Sequence, residues 1–126
     1  MPKIIVALIT KGTSVTDTTS YATASITPGS NALIIASVVS CRTDSVAPSV
    51  PTSLTGNGLT WVQVNTVVYD NTLGTRGRIT VFRAMGQAPT TGAITISYGV
   101  ETQARCGWII AQVNNVVIDG TNVILG

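Results

Sequence analysis

The stretch Ile94-Thr95-Ile96-Ser97-Tyr98 alternates strictly, with Ile94, Ile96 and Tyr98 of one parity and Thr95 and Ser97 of the other. Period-two alternation of apolar and hydroxyl side chains belongs to a strand that buries one face and leaves the other in solvent, the pattern of an antiparallel sheet. Upstream, Leu33-Ile34-Ile35-Ala36-Ser37-Val38-Val39 is apolar at both parities, which suits a central strand covered on both sides. Nowhere does a 3.6-residue periodicity emerge, so the chain reads as all-β.

Working outward, short segments dense in Val, Ile and Thr are separated by turn residues at regular intervals. The spacing predicts strands over 3–10, 18–27, 32–41, 59–69, 78–85, 94–98 and 106–113, with short terminal strands over 116–118 and 123–125. The first is closed by Lys11-Gly12-Thr13-Ser14 and the second by Pro28-Gly29-Ser30-Asn31. Between the third and fourth, Arg42 to Asn57 holds Pro48 and Pro51 and reads as one long irregular loop, the kind that carries contacts more often than an idle connection does. About eight strands with no helix between them predict an antiparallel β-sandwich, jelly-roll-like, with an immunoglobulin-like topology as the alternative. The 126 residues form a single domain, 1–126.

Composition narrows the chemistry. The chain has no histidine, which removes the usual imidazole base, the Ser-His-Asp and Cys-His arrangements and the familiar zinc sites. The five acids, Asp17, Asp44, Asp70, Glu101 and Asp119, lie far apart in sequence with no local pairing. No catalytic residue, metal ligand or cofactor is expected. The net charge of +2 and scattered basic residues do not suggest a nucleic-acid or membrane-surface binder. The apolar segment Ile4 to Ile9 is too short for a signal-peptide core or a membrane span, so synthesis in a cytoplasm is expected.

Only 10% of residues are charged while 20 threonines and ten serines fill the polar positions. The exposed sandwich faces are therefore expected to be hydroxyl-rich, with little side-chain entropy to lose on docking. Cys41 and Cys106 could close a disulfide worth roughly 4 kcal/mol by loop entropy, but in a reducing compartment they are expected as free thiols. The aromatic set is small, and Trp61 and Trp108 lie in apolar strand contexts that predict core packing. Arg78 and Arg83 have opposite strand parity and are expected on different faces.

Gly56-Asn57-Gly58-Leu59-Thr60-Trp61 is the most distinctive string. Its glycines permit a tight reversal with positive φ, after which Leu59 and Trp61 enter one face together. Pro28-Gly29-Ser30-Asn31-Ala32-Leu33-Ile34, Gly58-Leu59-Thr60-Trp61-Val62-Gln63-Val64, Arg78-Ile79-Thr80-Val81-Phe82-Arg83-Ala84, Gly92-Ala93-Ile94-Thr95-Ile96-Ser97 and Gly107-Trp108-Ile109-Ile110-Ala111-Gln112-Val113 follow in that order. Together they resemble a β-sandwich module of tailed-phage virion and prophage proteins, over roughly 18–117. Only Gly-Leu-Thr-Trp and Phe-Arg-Ala match as residues, the remainder as residue classes.

The resemblance implies a structural role in a virion, as capsid decoration or part of a tail or fibre, usually as a symmetric oligomer. Members often continue past the position of Val116 with further strands, which implies a sheet edge completed by another subunit. The expected partners are a major capsid protein or other virion protein and further copies of the chain, a trimer being favoured. The alternative expectation is a carbohydrate- or receptor-binding sandwich of a phage tail or fibre, which would display stacking aromatic rings. Contacts are expected at Pro2 and Lys3 in the amino-terminal segment, at Arg42, Asp44, Pro48 and Pro51 in the long loop, at Arg76, Arg78 and Arg105, and along the carboxy-terminal strand. Arginine is suited there to bidentate pairing with acidic groups.

Overall fold

The computed structural model describes residues 4–70, 74–114, 117–118 and 124–125. Ten strands follow in chain order: β1 (Ile5–Ser14), β2 (Ser20–Ala22), β3 (Leu33–Cys41), β4 (Ser53–Thr55), β5 (Val62–Asp70), β6 (Arg76–Ala84), β7 (Thr95–Ser97), β8 (Arg105–Asn114), β9 (Val117–Ile118) and β10 (Ile124–Leu125). Eight of them form two antiparallel sheets, of five strands in the order β1-β8-β3-β6-β5 and of three in the order β2-β7-β4. β9 and β10 pair with each other, and with no other strand among the described residues.

The order is that of a jelly roll. β1 pairs with β8, β2 with β7 and β3 with β6, as if one long hairpin had been wrapped so that successive arms fall in opposite sheets. An immunoglobulin-like sandwich keeps its first two strands in one sheet, whereas β1 and β2 lie in different ones here. The fourth pairing of a wrapped hairpin, β4 with β5, is not made; β5 joins β6 at the edge of the large sheet instead. The sheets are therefore unequal, and the large one extends beyond its cover on both sides.

Several boundaries differ from the sequence reading, each for a local reason. β1 runs through Lys11-Gly12-Thr13-Ser14 because β8 offers it a ladder to Cys106, with a bulge at Ile9. Gly12 is required there, since a Cβ would lie 2.7 Å from the Trp108 indole. The second predicted strand shrinks to β2, flanked by single bridges from Thr18 to Gln103 and from Ile26 to Gly92. The long loop is not wholly irregular, because Ser53-Leu54-Thr55 forms β4 and completes the small sheet.

The core lies between the sheets. Ile34, Ala36 and Val38 of β3, Phe82 of β6 and Cys106, Trp108 and Ile110 of β8 meet Tyr21, Leu54, Ile94, Ile96 and Tyr98 from the small-sheet side. The alternation at 94–98 is realised in full, with Ile94, Ile96 and Tyr98 buried. Tyr21 and Tyr98 stack edge to face with centroids 6.4 Å apart, and the Tyr21 hydroxyl donates to the carbonyls of Thr16 and Gln103. Both thiols are free, and burial pushes the Cys106 thiol up to about 11.

The Gly56-Asn57-Gly58 turn has positive φ at all three residues. Asn57 is buried, and its Nδ2 donates to the carbonyls of Thr90 at 3.0 Å and Gly92 at 2.9 Å, fastening the loop after β6. Leu59 and Trp61 then pack against the core. Replacing Asn57 with Ala removes two hydrogen bonds and leaves the Thr90 carbonyl without its donor, while the Gly92 carbonyl keeps the Ile26 amide, so urea unfolding of Asn57→Ala should show a loss of about 2 kcal/mol; an unchanged midpoint would contradict this role.

Candidate interaction face

The two outer faces of the sandwich differ in chemistry. On the small sheet the outward rows are Ser20-Ser97-Ser53 and Ala22-Thr95-Thr55, the hydroxyl surface expected from composition. The large sheet departs from that expectation. Its outward rows, read across from β5 to β1, are Val62-Arg83-Ile35-Ala111-Leu8, then Asn65-Val81-Ser37-Ile109-Lys11, then Val67-Ile79-Val39-Gly107-Thr13. Tyr69, Gly77, Cys41 and Arg105 form the last row, with the Tyr69 ring lying over Gly77.

This face is mostly aliphatic. Leu8, Val67 and Ile109 are each more than half exposed, and Val62, Tyr69 and Ile79 are also open to solvent. Fully burying a Val, Leu or Ile side chain is worth about 1.5–3 kcal/mol, so five uncovered ones, with Tyr69 beside them, leave a large driving force toward any surface that fits. Where β8 has Gly107 the missing side chain leaves a groove of about 560 Å³, lined by Lys11, Gly12, Thr13, Ser37, Val39, Gly107, Trp108 and Ile109. Both edge strands extend the exposed area, β5 being exposed at every position but Thr66 and the first half of β1 on both faces.

The residues expected to make contacts fall in different places. Pro2 and Lys3 lie outside the described residues. Pro48 and Pro51 are buried within the fold, so they serve the loop and are not presented to a partner. Arg78 is turned toward the loop, its Nε donating to the Pro48 carbonyl at 2.6 Å and its Nη1 to Thr66 Oγ1 at 3.1 Å. Arg76 pairs with Asp70 at 2.9 Å. Arg42 pairs with Asp44 at 2.6 Å and with Glu101 at 3.0 Å. Arg105 and Arg83 project outward from the large sheet, opposite in parity to Arg78. The sequence reading missed the outer-face residues Lys11, Val39, Val67, Ile79 and Ile109. The signal was present in β3, which is apolar at both parities, and in Ile79 and Val81, which alternate against the buried Thr80 and Phe82.

At one end of the sandwich the loop of residues 42–52 is tied to the loop before β8. Glu101 accepts from the Ser49 amide at 2.8 Å, the Ser49 hydroxyl at 2.7 Å and Gln103 Nε2 at 2.6 Å. Burial alone would raise the Glu101 carboxyl, but these hydrogen bonds and the Arg42 guanidinium outweigh it and hold it below the usual range. The hydrogen bonds from Arg42 hold the Asp44 carboxyl down as well. Among the described residues no three of the Asp, Glu and Cys side chains gather in a metal-binding group. No family model, curated protein or solved structure matches the chain.

A carboxyl whose folded value is depressed contributes stability that is complete above its unfolded value, here 4.5 for Glu101, and is lost as pH falls through the folded value. Urea midpoints should therefore fall as the pH drops below about 4.5, and fall less steeply in Glu101→Gln. An equally steep decline in both proteins would remove Glu101 from this account.

Proposed function

We propose that this chain is a non-enzymatic structural protein of a virion, and specifically a phage capsid decoration protein that binds and reinforces the capsid exterior as a symmetric oligomer. The observation that carries this reading is the uncovered aliphatic face of the five-stranded sheet. A sheet with apolar side chains on both faces belongs in an environment where both are covered, and the small sheet covers one. Exposed apolar area on this scale marks a protein–protein surface. The free hydroxyl face of the small sheet leaves the particle a neutral, hydrated exterior.

In this reading the protein is made in the host cytoplasm and acts in the virion, its partners being the major capsid protein or another virion protein and further copies of itself, three-fold symmetry being favoured. Its mechanism is mass action: a ligand that binds only the assembled lattice stabilises that lattice. It needs no cofactor, nucleic acid or membrane. The alternative, a carbohydrate- or receptor-binding module of a tail or fibre, would rest on Tyr69, the one aromatic ring among the described residues that is exposed at the surface. A sugar platform usually presents several such rings.

The test is to mix the purified protein with mature capsids that lack it and to image the particles. Saturable density at lattice points, with a raised thermal disruption temperature of the shell, is the expected result. Label confined to the tail tip, or no binding to the particle, would overturn the decoration reading.

A further inference from the structure

The cations of the described residues divide into paired and free. Of the six described cations, Arg42, Arg76 and Arg78 are engaged with Asp44 and Glu101, with Asp70, and with Pro48 and Thr66 respectively. The other three, Lys11, Arg83 and Arg105, have no partner among the described residues, and all three lie in the outward rows of the large sheet. No carboxylate lies in those rows. The aliphatic face is thus studded with cations alone.

The complementary surface is on the same chain. Asp17, Asp44 and Glu101 gather with Arg42 around a polar hollow at the end of the sandwich where β1 finishes and β8 begins. Three carboxylates against one guanidinium give the lining of this hollow a net −2, and Arg105, which shares the adjoining hollow with Arg42 and Ala104, stands at its border. Three valines stand out among these acids: Val100 is 100% exposed, Val15 75% and Val46 52%. They sit on loops held together by the Thr18–Gln103 bridge, the Ala104 amide on the Cys41 carbonyl and the Ser49–Glu101 bonds, so the end is a built surface and not a loose tip.

We propose that this acidic, valine-bearing end of one copy docks on the cationic aliphatic face of a second copy, with Val100 directed to the groove over Gly107 and Asp17, the carboxylate of this end that has no partner among the described residues, to Lys11 and Arg83. The inference rests on reading the large-sheet face as a covered surface, and it names what covers part of it. Charge selects the geometry. Docking two copies face to face would bring both sets of Lys11, Arg83 and Arg105 together with no carboxylate between them, which like-charge repulsion opposes. An end-to-face contact uses two different patches and is heterologous, so it closes into a ring when the rotation permits.

The test is sedimentation velocity at low and high salt on the purified wild type, on Lys11→Glu/Arg83→Glu, on Asp17→Lys, and on an equimolar mixture of the two variants. All three substitutions are at exposed positions outside the core. The expected result is a wild-type oligomer that dissociates in high salt, loss of the oligomer in the double variant, weakening in Asp17→Lys, and recovery in the mixture, where each altered patch meets its complement. A wild type that is monomeric at low salt, an oligomer indifferent to these charges, or a mixture without recovery would overturn the proposal. A ring-forming protein that ignores capsids keeps this inference and defeats the decoration reading; a monomer that decorates capsids does the reverse.

Discussion

The five-stranded sheet carries aliphatic side chains on both of its faces, and the chain supplies only three short strands to cover them. Everything distinctive about the molecule follows from that inequality. The covered face holds Ile34, Val38, Phe82, Trp108 and Ile110 against Tyr21, Leu54 and Ile96, and the core lies between them. The other face repeats many of the same residue types, and none of the other described residues lies over it. β-branched side chains stabilise a pleated sheet at either parity, so the sequence can hold the sheet extended while leaving one side to be completed from outside.

The inequality has a local origin. In a fully wrapped hairpin β5 would lie beside β4, making two sheets of equal width. The Gly56-Asn57-Gly58 turn, with three consecutive positive φ values, instead returns the chain to the large sheet beside β6. Asn57 makes that turn specific by tying it to the carbonyls of Thr90 and Gly92. At the opposite end of β5, the loop of residues 42–52 is pinned by Arg78 on the Pro48 carbonyl and by Glu101 on Ser49, so the polar groups of that end are spent on internal order. The residues left free for partners are the aliphatic ones, the three unpaired cations of the large sheet and the exposed valines beside Asp17.

The strand periodicity made the fold class legible. Ile94-Thr95-Ile96-Ser97-Tyr98 predicts a half-buried strand and forms one, and the positions of β3, β6 and β8 follow their Val and Ile runs to within a residue or two. Two things escaped. β4 is three residues long, and a strand that short between Pro51 and Gly56 has no periodicity to detect, so Arg42 to Asn57 reads as a loop. The chemistry of the outer faces escaped because composition averages over both sheets and the loops; the outward rows of the small sheet carry Ser20, Ser53, Ser97, Thr55 and Thr95, while most of the other hydroxyls lie in loops or in the large sheet. Pro48 and Pro51 read as contact residues because proline in a long loop suggests an exposed turn, whereas both are buried beneath it. Which surface is left bare depends on which strands end up at the edges, and that is a property of topology.

The central claim is that the outer face of the large sheet does not hold the single chain together but holds chains to one another. The most direct measurement is the dependence of the thermal unfolding midpoint on protein concentration, for the wild type and for a triple variant, Val39→Thr, Ile79→Thr and Ile109→Thr, which keeps β-branching while removing aliphatic surface. Unfolding linked to association has a midpoint that rises with concentration. That rise is the expected result in the wild type, and in the variant a flat midpoint equal to the wild type's dilute limit. A wild-type midpoint independent of concentration, or a variant that unfolds far below that limit, would contradict it.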